Sequence, residues 1–154
     1  MKKNNQMRSI KEIILPKNGI IKSFNDNKFN LILTPRRWGL TSLLIDYINK
    51  IPNDKSILFG VWNSNMVRET NRRITHPNCR IQTIHQSGLI GRSFDYIICD
   101  NFFNGEWIQK LVLMAPVLKT DGKIILADNG RCLGYRMEYF RNYNKIIKTS
   151  LNNG

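Results

Sequence analysis

The chain has 154 residues, of which 42% are hydrophobic and 23% are charged, so we expect one globular domain with its own core. Its 24 lysines and arginines outnumber its 11 aspartates and glutamates, and the net charge of +13 makes nucleic acid the expected class of partner. Its 3 cysteines stand far apart, which excludes a CxxC metal site and a disulfide framework, and no apolar run reaches the ~18 residues of a membrane span. We therefore predict a soluble cytoplasmic protein, or one of the host cytoplasm or nucleus if it is viral.

Along the chain, short apolar runs alternate with segments of helical spacing. Residues 1–29 form a basic lead-in, with a short helix over residues 19–24, which we expect to pack on the core of a single domain over residues 30–154. The apolar runs predict five strands, over residues 31–33, 56–61, 80–84, 95–99 and 123–127, the last of them after a turn at Asp121-Gly122. The helical spacing predicts helices over residues 40–51, 65–74 and 106–118, and a basic helix over residues 136–148.

These elements predict an α/β fold, a three-layer sandwich with a mostly parallel central sheet of about five strands. Each strand is a continuous apolar run, which is typical of a parallel sheet that helices cover on both faces. Ligands of such sheets bind at the carboxyl ends of the strands. The segments that directly follow the strands are therefore the candidate sites.

The first of these segments is a candidate phosphate-binding loop. A strand, a tight turn and a helix start direct backbone N–H groups and a positive helix dipole at an anion. In the phosphate-loop pattern, Gly39 matches the second glycine and Thr41 the metal-binding hydroxyl, whereas Leu40 stands in place of the lysine. The candidate cofactor-binding residues are Thr34, Pro35, Arg36, Arg37, Trp38, Gly39, Leu40, Thr41 and Ser42.

A second candidate segment follows the fourth predicted strand. Asp100 lies directly after the apolar run, at the position of the acid that helps to hold Mg²⁺ in phosphate-loop NTPases. Asn101 stands where many hydrolysing members have a glutamate, and its neutral amide orients water but accepts no proton from it. The alternative is that Asp100 only caps the next turn.

Taken in order, these motifs resemble the ATPase core of viral terminase large subunits, the DNA-packaging motors, and of related helicase-like ATPases. Residues 31–44 look like the Arg-Arg-x-Gly-Lys-Thr loop of that family, and residues 88–100 look like its segment leading into the acidic strand. Residues 123–130 are similar to the following strand and coupling motif, with Asp128-Asn129 in place of the usual Ser/Thr pair. The resemblance covers roughly residues 15–140, the ATPase half only.

The resemblance implies ATP and Mg²⁺ as cofactors, with Thr41 and Asp100 as the metal-binding residues. Asn18 lies where related ATPases keep an adenine-reading glutamine. The candidate catalytic residues are Asp100, Asn101 and Arg37, since an arginine ahead of Gly39 substitutes for the missing lysine by binding phosphate bidentately. A homo-oligomer or a viral protein partner is compatible with this family.

Two departures from the family pattern predict that hydrolysis is weak or absent. Leu40 supplies no positive charge to the β- and γ-phosphates, and Asn101 supplies no base. A single electrostatic donor can be worth about 3 kcal/mol of transition-state stabilisation. We therefore expect a pseudoenzyme that still binds nucleotide through its backbone amides, or that binds no cofactor if the loop is fully degenerate.

A rival interpretation comes from class I methyltransferases, with S-adenosylmethionine as the cofactor. Residues 94–101 and 117–126 resemble the acidic strand and the Leu-Lys-Pro-Gly-Gly turn of that family. However, the loop after the first strand has one glycine and two arginines, and the second strand ends in Trp62-Asn63 without the carboxylate that holds the ribose.

A third interpretation is a basic binding domain with no ligand in its crevice. Two groups of cations are spaced to follow a phosphate backbone, and aromatic residues interleave with the second group. The candidate nucleic-acid residues are Arg68, Arg72, Arg73, Arg131, Arg136, Arg141, Lys145 and Lys148.

Overall fold

Helices and strands alternate along the chain in the computed structural model, which describes residues 17–34, 39–84, 89, 91–104, 106–128 and 143–147. The helices are α1 (Lys17–Asp26), α2 (Leu40–Lys50), α3 (Ser64–Asn71) and α4 (Trp107–Met114), and a 3-10 turn (Ala115–Val117) follows α4. The strands are β1 (Phe29–Leu33), β2 (Ile57–Val61), β3 (Cys79–Thr83), β4 (Phe94–Cys99), β5 (Leu118–Asp128) and β6 (Asn144–Ile147).

The six strands of the described residues belong to one parallel sheet, in the order β3-β2-β4-β5-β1-β6. This confirms the prediction of an α/β fold around a mostly parallel sheet. A Rossmann order would place β1 beside β2. Here β5 and β4 lie between β1 and β2, so the order differs from the one that the methyltransferase interpretation requires.

The side chains of the strands alternate between two apolar clusters, one on each face of the sheet. Ile32 of β1 points into a cluster that contains α1 and α2 residues such as Phe24 and Ile48. Leu31 and Leu33 point to the opposite face, into the cluster of α4. The core is therefore divided into two layers, one on each face of the sheet. The helices that cover the two faces also flank the ends of the strands.

The predicted turn at Asp121-Gly122 is wrong, because both residues lie within β5. The pairing of β4 with β5 is irregular here. Phe94 pairs with Leu118 and Tyr96 with Lys123, so β5 has more residues than β4 between the two pairs and bulges. A Cβ atom at Gly122 would lie 2.6 Å from a Leu118 side-chain carbon and 3.0 Å from the Asp95 carbonyl oxygen. The glycine therefore serves a close approach of two strands rather than a turn.

The predicted basic helix over residues 136–148 is wrong where the structure describes it, because Asn144–Ile147 form β6. This strand pairs with β1, which would otherwise be an edge of the sheet with unpaired backbone groups. Residues 136–142 and 148 of the predicted helix lie outside the described residues. None of the helices in the described part of the chain is both long and apolar enough to cross a bilayer.

Candidate nucleotide-binding site

The carboxyl end of β1 and the first turn of α2 form one wall of the candidate site. Thr34 is buried, and its N–H donates to the Asp128 carbonyl oxygen at 3.1 Å. Gly39 is the N-cap of α2 and has φ of 94°, a left-handed conformation that favours glycine. Because glycine has no side chain to cap the first-turn N–H groups, this helix start suits a bound anion.

Thr41 and Asp100 form the centre of the candidate site. The Thr41 hydroxyl, on the first turn of α2, donates to Oδ2 of Asp100 at 2.6 Å. The N–H of Asn101 donates to the other carboxylate oxygen at 2.9 Å, and the N–H of Asp100 donates to the Gly60 carbonyl oxygen at 2.9 Å. The fold thus brings together the two side chains predicted to bind a metal ion.

Asp100 is almost completely buried, with 4% of the residue's surface exposed. Burial raises its pKa, the hydrogen bonds from Thr41 and Asn101 oppose that rise, and the nearby charge of Asp128 adds to it. A cation would relieve the cost of a buried negative charge and would favour the ionised carboxylate. An ionised Asp100 would therefore be more stable with a bound metal ion than without one.

A hydroxyl and a carboxylate are the oxygen ligands that Mg²⁺ takes from a protein when phosphates and waters supply the rest. In the part of the chain that the structure describes, no group of three or more His, Cys, Asp or Glu residues is placed to hold a metal ion without such help. Thr41 and Asp100 thus fit a magnesium ion that arrives with a phosphate group, and they do not fit a closed metal centre.

Leu40 occupies the lysine position and points into the core. It is 8% exposed and belongs to the cluster under α1 and α2. The side chain therefore stabilises the packing of α2. A leucine suits these apolar surroundings better than the lysine of the phosphate-loop pattern would.

Asn101 has φ of 52°, and it is a non-glycine residue with positive φ. The left-handed region is costly for most side chains and is best tolerated by asparagine and aspartate after glycine. Backbone conformation therefore gives a physical reason for an amide residue beside Asp100, independent of its inability to act as a base.

The architecture of this chain is similar to that of a solved helicase. The crystal structure of the UvsW helicase from bacteriophage T4 matches with a TM-score of 0.61 and 14% sequence identity, over 96% of this chain and 67% of that one. The chain thus shares its α/β fold with that structure. No model of a known protein family matches the chain, and no curated protein does.

Several predicted site residues lie outside the described residues or are described only by their backbone. The residues outside are Pro35, Arg36, Arg37, Trp38, Arg131, Arg136, Arg141 and Lys148. Asn18 lies in α1 and Lys145 in β6, each described by its backbone only.

Three of the predicted nucleic-acid residues lie on α3 or in the turn after it, and all three are exposed. Arg68 and Arg72 are exposed, the first hydrogen-bonded to Asn65 and the second 3.7 Å from Glu69. Arg73 instead donates from Nη2 to the Ser42 hydroxyl at 2.8 Å, and thereby joins this turn to the first turn of α2. The cationic turn after α3 thus lies beside the first turn of α2.

Sequence reasoning missed one functional candidate, the buried Lys110 of α4. It is 8% exposed and shares its buried face with Trp107 and Met114. The signal was available, because residues three and four apart on a helix share a face and Trp107, Lys110 and Met114 have that spacing.

Proposed function

We propose that this chain binds a magnesium–nucleotide complex at the carboxyl ends of β1 and β4 and works in a nucleic-acid machine, with weak or absent hydrolysis. The observation that carries the proposal is the 2.6 Å hydrogen bond between Thr41 and Asp100. These residues are 59 positions apart and match the hydroxyl and the acid that hold Mg²⁺ in phosphate-loop NTPases.

Phosphate binding is assigned to the start of α2. The left-handed Gly39 lets the chain turn tightly into the helix, and the first-turn N–H groups with the helix dipole favour a phosphate there. When bound, Mg²⁺ neutralises charge on the β- and γ-phosphates. Arg36 and Arg37 are proposed to supply the cationic contact that the missing lysine does not make.

Weak turnover follows from two side chains. Leu40 is buried in the core and carries no charge toward the phosphates. Asn101 has no carboxylate with which to accept a proton from an attacking water. Loss of both contributions favours a nucleotide-dependent switch or scaffold over an ATPase.

The role in a nucleic-acid machine rests on charge and placement. The net charge is +13, and Arg68 on α3 and Arg72 just after it are both exposed. The next residue, Arg73, contacts Ser42 on the first turn of α2. A polyanion bound along α3 would therefore lie next to the nucleotide. The proposal includes helicase-like work and viral DNA packaging as the two processes that this arrangement serves.

Calorimetric titration of the chain with ATP, with and without Mg²⁺, and with S-adenosylmethionine tests the nucleotide assignment. We expect Mg²⁺-dependent binding of ATP, at least tenfold weaker in Asp100→Asn and unchanged in Asp54→Asn, which removes an exposed carboxylate from a distant loop. Binding of S-adenosylmethionine alone would overturn the proposal in favour of the methyltransferase interpretation.

Assays of ATP turnover test the assignment of lost catalysis. We expect no turnover above background in the natural chain. A measurable rate is expected in the double variant Leu40→Lys, Asn101→Glu, since it adds a base and a cation on a stem long enough to reach out of the apolar cluster around position 40. Brisk turnover by the natural chain would contradict the pseudoenzyme assignment.

A further inference from the structure

A buried lysine donates hydrogen bonds to the backbone segment that follows Asp100. The Nζ atom of Lys110 donates to the carbonyl oxygens of Phe102 at 3.0 Å and of Asn104 at 2.6 Å. An ammonium group inside a core is costly unless hydrogen bonds and charges compensate for lost water. The two hydrogen bonds of Lys110 compensate for part of this cost.

Asp128, at the end of β5, holds the same segment from the other side. Its Oδ1 atom accepts from the N–H of Phe103 at 3.1 Å, and the N–H of Phe102 donates to the Ala127 carbonyl oxygen at 2.9 Å. Successive peptide groups of residues 102–104 are thus held alternately by β5 and by Lys110. The segment is tied along its length to two elements that flank it.

Charge supports the same grouping. Burial lowers the pKa of Lys110, and the negative charge of Asp128 opposes that shift. Asp128 is itself buried. Its negative charge therefore favours the charged form of Lys110 in these buried surroundings.

We propose that Lys110, acting with Asp128, is a positioning residue that holds residues 101–104 so that the Asp100 carboxylate stays directed at Thr41. The inference rests on the proposed magnesium–nucleotide site. The link is Asn101, the first residue of this segment, whose N–H donates to the Asp100 carboxylate at 2.9 Å. Lys110 hydrogen-bonds to the carbonyl oxygen of the next residue, Phe102. A shift of that segment would move this donor and turn the carboxylate.

The test separates metal binding from simple folding. In Lys110→Met, which keeps the length and removes the donors, the Mg²⁺ concentration for half-maximal nucleotide binding should rise about 10- to 100-fold, as for other residues behind a metal ligand. Nucleotide affinity without Mg²⁺ should change less than twofold, because the start of α2 holds the phosphates. Lys55→Met, an exposed lysine just before β2, is the matched control and should behave as wild type.

Lys110→Arg keeps the charge and the donors, so it should recover most of the Mg²⁺ affinity. If Lys110→Met fails to fold, Lys110→Gln, which is shorter and uncharged, carries the test in its place. An unchanged Mg²⁺ requirement in the folded methionine or glutamine variant overturns the inference. Equal weakening with and without Mg²⁺ also overturns it, because that outcome indicates a structural role only.

Amide hydrogen exchange tests the same contact without nucleotide. We expect faster exchange at Phe102, Phe103 and Asn104 in Lys110→Met, with protection elsewhere in the sheet retained, and unchanged protection there overturns the inference. If the wild-type chain binds no magnesium–nucleotide, the proposed function fails, and the exchange result still decides whether Lys110 holds the segment.

Discussion

Thr41 and Asp100 are joined by a 2.6 Å hydrogen bond, although the strand that precedes Asp100 is not the neighbour of the strand that precedes Thr41. β5 lies between them, so the two side chains meet above its carboxyl end. The contact is made by a helix turn on one side and a strand end on the other. Its energetics and its response to protons and metal ions can be measured directly.

Removal of the Thr41 hydroxyl should destabilise the fold. In Thr41→Val, the buried Asp100 carboxylate keeps the Asn101 N–H but loses its hydroxyl donor. We expect the free energy of unfolding to fall by about 1–3 kcal/mol, the usual cost of an unsatisfied buried acceptor. Chemical denaturation measures it, and Thr41→Ser, which keeps the donor, should stay near wild type. Equal stability of the valine variant would contradict the importance of the contact.

The pKa of Asp100 predicts opposite effects of pH on stability and on metal binding. Its folded pKa is raised by burial, so between the unfolded value of about 3.9 and the raised folded value the folded state binds more protons. Stability from this group is present at low pH and is lost as pH rises through the folded pKa. Mg²⁺ needs the ionised form, so its affinity in the presence of nucleotide should fall as pH is lowered toward that pKa.

Denaturation and Mg²⁺ titration across pH 4–8 in wild type and Asp100→Asn measure both effects. The asparagine variant should lose this component of the pH dependence of stability. The same slope in both chains would show that the titration belongs to another group.

Leu40 should behave as a core residue. Leu40→Ala removes buried methyl groups from the cluster under α1 and α2 and should cost about 2–4 kcal/mol of unfolding free energy. Leu40→Met preserves volume and should cost less than about 1.5 kcal/mol, with no change in nucleotide affinity. Thermal or urea unfolding gives both values. An unchanged free energy of unfolding in Leu40→Ala would show that this side chain is not part of the core.

The left-handed backbone at Asn101 predicts an unusual order of substitution costs. Asn101→Gly should be neutral or mildly stabilising, whereas Asn101→Ala should cost about 1 kcal/mol because its Cβ disfavours φ of 52°. Asn101→Glu should pay a similar cost, so the double variant that restores a base should be less stable than wild type. Urea unfolding of the three variants tests the order, and an alanine variant more stable than the glycine variant would contradict it.

The cations of α3 and of the turn after it predict a salt-dependent affinity for nucleic acid. Arg68→Ala and Arg72→Ala should weaken binding to single-stranded and duplex DNA, each reducing the slope of log affinity against log salt by about 1 if the cation contacts one phosphate. Both side chains are exposed, so stability should hardly change. Arg73→Ala should also loosen the contact with Ser42. Absence of binding at low salt would remove nucleic acid as a partner.

Much of the fold could be predicted from the sequence because strands and helices are marked locally. Strand β4 is an apolar run, and the spacing of Leu40, Leu44 and Ile48 matches the helix α2 that is observed. The candidate loop after β1 and the acid after β4 were found in the same way, since a parallel sheet collects its strand ends at one edge. The elements and the layering thus follow from patterns a few residues long.

Only the tertiary structure decided the features that depend on distant partners. The strand order, the extension of β5 through Gly122 and the strand Asn144–Ile147 depend on which backbone lies alongside, and local propensity does not contain that information. The Thr41–Asp100 contact and the burial of Lys110 arise in the same way. The sequence by itself determined most of the strands and helices and the candidate ligands. Long-range pairing determined the remaining elements and which of those ligands meet, because hydrogen bonds between strands and burial between layers join residues that are far apart in the chain.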